Sequence, residues 1–595
     1  MTPRRTRLAL AVALVCAAGF APSSDPSRGD AFDPLLRPDA LCAPGASGPP
    51  ALLRSLVLAA TETAPFRPVP AEPALTSPPV LYGNLGSVTL KAGTASARAQ
   101  AWFDQGVRLT IAFNHAEAVR AFREAQRLDP RCALCYWGEA LAYGPNINAP
   151  MMPEAVGPAL AALAQAVALA PSAPQRDAAL IEALATRYSA DPKAERAALD
   201  AAYADAMKAV AARYPDEDTI QVLYAEAMMD TQPWDYWEAG GTRPKGRGEA
   251  IVGVLETVLR RNPAHPGAIH LYIHAVEAST RPERALPHAR RLGALMPGAG
   301  HVVHMPAHIY YRVGMYRESL AANKLAIAMD ERYFATAPSD PMYRFAYYPH
   351  NIHFVMVSAQ MGGDGATAIA AAEKLDRSMP VDVVARFPSI QPVKAAPYTT
   401  HAQFSAPETI LALPAPPAGL VLVEAMYHYA RAIAFARRND AASARGEIDA
   451  LARIERQADF APFAEWNVPA KEVVQTARLT ATARLLDVSG DLEGAARAYE
   501  DAIMIEDSLA YMEPRYWYYP VRQSLGGVRL RQGRLDEAER AFRESLARVR
   551  NNGWSLAGLA ETYRRKGDAA GERAARVALA KAWLGPAGVP PVERL

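Results

Sequence analysis

AWFDQGVRLTIAFNHAEAVRAFREAQRLDP, residues 101–130, sets Trp102, Gly106, Ala118, Phe122 and Ala125 at helical spacings ahead of Pro130. Apolar side chains recurring every three or four residues make amphipathic helices, and this stretch holds two of them. Gly106 and Ala118 are small enough to let the two helices approach closely. Pro130 ends the second helix, because its ring clashes with the preceding turn and it has no N–H to donate. A single helix pair cannot bury its apolar face alone, so neighbouring pairs must stack. The same marks return near the C-terminus at Gly526, Gly533, Ala538 and Phe542, and again at Gly567.

These residues fall at positions 4, 8, 20, 24, 27 and 32 of a 34-residue unit, and the chain resembles the tetratricopeptide repeat superfamily on that pattern. Pro263 and Pro297 lie one period apart with Ala285 at position 20, and Gly314 and Ala326 fit positions 15 and 27 of the next copy. The resemblance covers most of residues 97–585 and implies an all-α, tetratricopeptide-like α-solenoid of stacked antiparallel helix pairs. It also implies a scaffold that binds a peptide or protein along its concave face. Repeats are expected over 96–230, 249–375 and 421–585. The pattern breaks at 231–248 (TQPWDYWEAGGTRPKGRG), near 332–348, and at 376–420, which reads as irregular or as a degenerate repeat.

Ahead of the repeats, MTPRRTRLALAVALVCAAGFA (1–21) has the basic start, short apolar run and small-residue cleavage site of a signal peptide. The mature chain is therefore expected to be exported, to the periplasm or the exterior, by the general or the twin-arginine route. Residues 22–95 are rich in Pro, Ala and Ser and read as a linker or irregular wrap. No other run of about 18 uninterrupted apolar residues suggests a membrane span. A net charge of +2 with both signs interspersed leaves no electrostatic footprint for nucleic acid. Three cysteines remain after the signal, and Cys132-Ala-Leu-Cys135 reads as a pair of small buried residues or a local disulfide.

The departure from a plain scaffold is a run of histidines. The chain has 12, of which HVVHMPAHIYYRVGMY (301–316) holds His301, His304 and His308. HLYIH supplies His270 and His274, and HNIH supplies His350 and His353. In the repeat family, positions 2, 5, 9 and 12 of the first helix line the groove, and all seven histidines, with Glu277, register there. Spacings of three and four put imidazoles on one helical face, and helices about 8–10 Å apart let them share a metal. Leu271 stands where a zinc protease motif needs glutamate, so Glu277 is read instead as a ligand, as a base, or as a residue orienting His274. Tyr348, just before His350, is the second candidate catalytic residue. Pro306 must either kink its helix or begin a new one. PWDYW (233–237) reads as an aromatic loop at the groove edge, packed or acting as a lid, and Asn146 and Asn148 as turn residues.

Seven nitrogen donors suit a transition metal, copper first and zinc or iron next. More than four histidines exceed one tetrahedral zinc. The expected function is a metal-dependent enzyme, oxidative slightly ahead of hydrolytic, acting on a small molecule or peptide in the groove. The alternative is a non-enzymatic scaffold for a peptide or protein partner, with a His-rich, pH-sensitive groove. Under the metal reading, His274→Ala or His304→Ala is expected to lower metal content without unfolding the array, because groove side chains are not core.

Overall fold

The computed structural model describes residues 77–337 and 341–586. Among these the fold is an all-α, tetratricopeptide-like solenoid with no strand, only two isolated bridges in loops. The expected signal peptide and residues 22–76 lie outside the described residues.

Helix pairs follow one another from Ala97–Ile111 and His115–Leu128 to Gly553–Lys566 and Ala569–Ala582. The sequence dictates the turn inside many of these pairs. A residue in the left-handed conformation closes the first helix: Gly363, Asn439, Gly490 and Gly567 all have φ between 58° and 86°. An aspartate follows each of them, and Asp364, Asp440, Asp491 and Asp568 accept the N–H three residues on, capping the second helix.

Between pairs, one aromatic is gripped by two glycines. A Cβ on Gly106 or on Gly138 would lie 2.4 Å from Phe122 Cε1, so Phe122 sits flat between its own first helix and the next. Phe542 is held in the same way by Gly526 and Gly558, where the nearest ring atom would be 2.7 and 2.2 Å away. Gly558→Ala should therefore destabilise the C-terminal pairs by about 1–3 kcal/mol, the usual cost of overpacking. Urea unfolding checks this, and an unchanged midpoint would contradict the packing.

The segment expected to interrupt the array at 376–420 is largely helical. Gln391–Phe404 stacks between Gly365–Ser378 and Val421–Arg437, continuing the solenoid. The break at 231–248 is a loop, and residues 77–95 form an irregular wrap fastened by side chains and by a backbone bond at the Asn84 carbonyl. Gln105 receives the Tyr82 N–H and donates to the Val80 carbonyl, Arg108 donates to Val88, and Gly298 N–H donates to Asn84. Among the described residues one helix, Pro153–Leu169, is long and apolar enough in composition to cross a bilayer together with its 3₁₀ extension. It packs here as a repeat helix, with Ala159, Leu163 and Ala166 buried.

The two arms of the array return to its centre. Tyr316 donates to the Arg550 carbonyl at 2.6 Å, and Trp554 Nε1 donates to the Gln360 carbonyl at 2.8 Å. From the other arm, the Ile111 carbonyl accepts from His270 Nδ1 at 2.7 Å. The central repeats are thus enclosed by both ends rather than left on an open concave face.

Candidate metal centre

Three helical segments carry the histidines. Pro266–Glu277 presents His270 and His274, with His265 capping its start through Nδ1 and Pro266 in its first turn. The next segment is broken in two, as one reading of Pro306 requires. Gly300–His304 stops at Met305, and Pro306–Arg312 begins a new helix with Pro306 in its first turn. Tyr348–Gly362 carries His350 and His353 and is entered through a π-helical turn over Tyr343–Tyr347.

The structure gathers six of the seven histidines into two triads. His270, His274 and His301 form one, and His304, His308 and His350 the other, with the nitrogens of each triad within 4.8 Å of one another. Three nitrogens bound to one ion at about 2.0–2.1 Å are at most ~4.2 Å apart, so small side-chain movements close each triad on a metal.

Hydrogen bonds at the outer nitrogens orient the rings. His270 Nδ1 donates to the Ile111 carbonyl, and His274 Nδ1 to Glu277 Oε1 at 2.8 Å. His308 Nδ1 donates to Glu277 Oε2 at 2.7 Å, so one carboxylate serves a ring from each triad. His304 Nδ1 donates to Asn323 Oδ1 at 2.6 Å, and Asn323 is held that way round because its amide nitrogen donates to Ser319 O. A neutral ring whose Nδ1 carries the hydrogen offers Nε2 as a lone pair, the form a metal ligand needs. His304 Nε2 and His308 Nε2 then face each other at 2.8 Å, and His301 Nε2 and His270 Nε2 at 3.1 Å. His274 Nε2 is buried without a hydrogen-bond partner among the described residues.

Burial, and after it the neighbouring imidazoles, holds His270, His301, His304 and His350 well below the ordinary imidazole range. Burial alone would raise Glu277, but the charge of His308 and the bonds from both rings bring it down to about 2. Proton uptake is thereby disfavoured at those four rings, while the carboxylate stays ionised. That combination suits a bound cation.

His353 belongs to neither triad. Three residues beyond His350, it falls about 60° short of a full helical turn, and its ring meets Tyr518 edge-on. Tyr348 also faces away from the triads, donating to Glu331 at 2.8 Å and packing against Phe334. The π-helical turn shifts the register so that Tyr347 meets the triads instead, its ring 4.7 Å from His301. The expectation of an open, replaceable groove surface is also corrected. His270, His274, His301, His304 and His308 are at most 1% exposed, so they are core, and a peptide cannot lie against them.

Two aromatics that sequence reasoning did not place at the site close it. Five described non-glycine residues have positive φ; three are asparagines, and the others are Phe113 (56°) and Trp234 (65°). Bulky residues in this conformation are genuine outliers, costing about 1–3 kcal/mol each. Both lie on the first triad. Phe113 packs on His270, His274 and His301, and Trp234 meets His274 edge-on at 5.1 Å. Trp234 is held by Asn148, so the expected turn residue supports the loop. A signal for Phe113 was present in the repeats themselves: it takes the turn position where Gly314, Gly363, Asn439, Gly490, Gly533 and Gly567 stand in other pairs. Tyr511 was also missed. It reaches Glu277 from 234 residues away, and no local pattern marks it.

Fold and site together define the class: an all-helical repeat solenoid around two triads of histidines, five of the six buried and His350 half-buried, that could hold metal ions. No protein-family model matches the chain, and no curated protein matches it. Solved structures similar to it are repeat proteins. The human IFIT1 dimer with m7Gppp-AAAA is 12% identical over 82% of this chain and 90% of that one, with a TM-score of 0.29. The Cut9–Hcn1 hetero-tetramer of the APC/C has 12% identity over 82% and 77%, at 0.29. The tetratricopeptide domain of P58(IPK) has 16% identity over 57% and 93%, at 0.17. Likenesses this distant carry no argument about activity.

Proposed function

We propose that this protein is a metal-dependent oxidoreductase with a dinuclear centre, one ion in each triad, copper being the first candidate and zinc or iron next. The observation that carries the reading is the 2.8 Å approach of His304 Nε2 to His308 Nε2 while both Nδ1 atoms are committed as donors. Two ring nitrogens cannot come that close with both lone pairs bare, so a proton or a metal ion must lie between or beside them, and the gathering of a third histidine at each pair favours the metal. Imidazole-only ligation favours copper, which also leads the divalent affinity order.

Burial favours oxidation over hydrolysis. A hydrolytic substrate must touch a metal-bound water, whereas dioxygen is small and electrons can cross a protein wall. The six triad histidines would hold the ions, Glu277 and Asn323 set the tautomers of His274, His308 and His304, and Phe113 and Trp234 cover the first triad. An exported location goes with this reading, supported by the Cys132–Cys135 disulfide, since such bonds persist in oxidising compartments.

The test is to load metal-free protein separately with copper, zinc and iron, desalt, and measure ions per chain. Two coppers per chain are expected, and one in His304→Ala, which removes a ligand from the second triad only. No retained metal in the wild-type chain would falsify the reading and leave the peptide-binding scaffold standing.

A further inference from the structure

We propose that Trp234 is a gate over the first triad, and that its opening admits a metal ion or dioxygen to His270, His274 and His301. This rests on the reading of the triads as the working centre, but its test uses metal-free protein, so the two can fail separately.

The triads differ in what lies between them and solvent. In the second, His350 is itself half-buried. In the first, all three histidines are at most 1% exposed. Three aromatic side chains pack on them: Phe113, Tyr347 and Trp234. Phe113 and Tyr347 are buried, and among the described residues Trp234 is the one half-exposed ring in contact with this triad. The histidine it covers, His274, has its Nε2 buried without a hydrogen-bond partner among the described residues. The wall of the first triad is thinnest at one indole.

The chain at that indole has a way to move. Gln232-Pro233-Trp234-Asp235 is a tight turn, with the Asp235 N–H donating to the Gln232 carbonyl at 3.1 Å. Proline in the second position and a φ of 65° at Trp234 in the third make it a type II turn, whose third position favours glycine. Turning over the peptide between Pro233 and Trp234 gives a type I turn. That turn keeps the proline and the Gln232–Asp235 bond and brings Trp234 to negative φ. The flip relieves the backbone strain and carries the indole off His274. Both flanks stay in place. Gln232 Nε2 donates to the Asp235 and Lys245 carbonyls, its Oε1 accepts from the Arg247 N–H, and Trp237 Nε1 donates to the Ala275 carbonyl at 2.7 Å.

Two contacts hold the turn closed. The indole meets His274 edge-on at 5.1 Å, and Trp234 Nε1 donates to Asn148 Oδ1 at 3.2 Å. Asn148 is itself held by its N–H, which donates to Asn146 Oδ1 at 2.8 Å. A strained backbone thus works against one packed ring and one latch, and brief local opening follows.

The experiment treats the metal-free full chain with diethylpyrocarbonate, which acylates neutral imidazoles, and reads initial rates residue by residue by peptide mass spectrometry. In the wild-type chain His350 should react faster than His274. Asn148→Ala should speed His274 by about 2–10-fold, the range that losing one ordinary hydrogen bond gives. Trp234→Gly, which suits the turn and removes the indole, should speed it further. His350 should react at the same rate in all three proteins. Two results overturn the gate: His274 reacting as fast as His350 in the wild-type chain, or at the same rate in the wild type and Trp234→Gly. So does an increase that His350 shares, because that is general loosening of the fold. If the expected pattern appears in a chain that retains no metal, the gate stands and the metal centre falls.

Discussion

Glu277→Gln should weaken metal binding at both triads together, by roughly 10–100-fold at each, the usual cost of losing a group that orients a ligand. The carboxylate accepts from His274 on one oxygen and from His308 and Tyr511 on the other. Glutamine offers one oxygen and one amide nitrogen, so one imidazole Nδ1–H must face an N–H. That ring escapes by moving its hydrogen to Nε2, the atom it would use for the metal. The other ring keeps its hydrogen bond but loses the negative charge that raised its basicity. Competition against a chelator of known affinity, with copper, reads both losses. Glu277→Asp, which keeps the charge, should fall between the two. Unchanged affinity in Glu277→Gln would show that the carboxylate does not orient the ligands.

His353→Phe should remove part of the protein's sensitivity to acid. His353 is buried, neither ring nitrogen has a hydrogen-bond partner among the described residues, and burial pushes its pKa down to about 3. The unfolded chain protonates this residue below about 6.5 and the folded one does not. Folding therefore loses free energy as the pH falls through that window, and the loss levels off near 3. At about 1.4 kcal/mol per pH unit, acidification from pH 6.5 to 4.5 costs roughly 2–3 kcal/mol at this residue. Phenylalanine fills a similar volume and does not titrate. Urea unfolding at pH 7 and pH 4.5 should show a stability difference smaller by that amount in the variant. The same acid dependence in both proteins would mean that His353 is hydrated or partnered in the fold.

The repeat ends were legible because their residues act locally. Gly106 and Phe122 meet within one helix pair, so spacing alone locates them. The histidines were legible for the same reason, since their periodicity places them on one face before any tertiary contact forms. Their burial was not legible. It depends on contacts such as Tyr316 with Arg550 and His270 with Ile111, which join residues 234 and 159 positions apart. Repeat register predicts an inward face but not whether the curvature is tight enough to close it. Which of Tyr347 and Tyr348 meets the triads is set by the π-helical turn that ends at Tyr347, and no spacing in the sequence marks that turn. Phe113 shows a different limit: the repeat register marks its turn position, but its amino-acid type argues against the backbone angle found there.

Repeat arrays ordinarily tolerate changes in the number of units, because each unit touches only its neighbours. That freedom is lost here. Tyr511 meets Glu277, and Trp554 meets Gln360, only if the intervening pairs turn the chain through the angle they now do. One extra unit between residues 378 and 470 would lengthen the superhelix by a step and carry Tyr511 and Trp554 away from their partners. Each unit could still fold. A chain built in this way can diverge in sequence along its outer surface, but its count of helix pairs between the histidines and Tyr511 is held constant by the ring it must close.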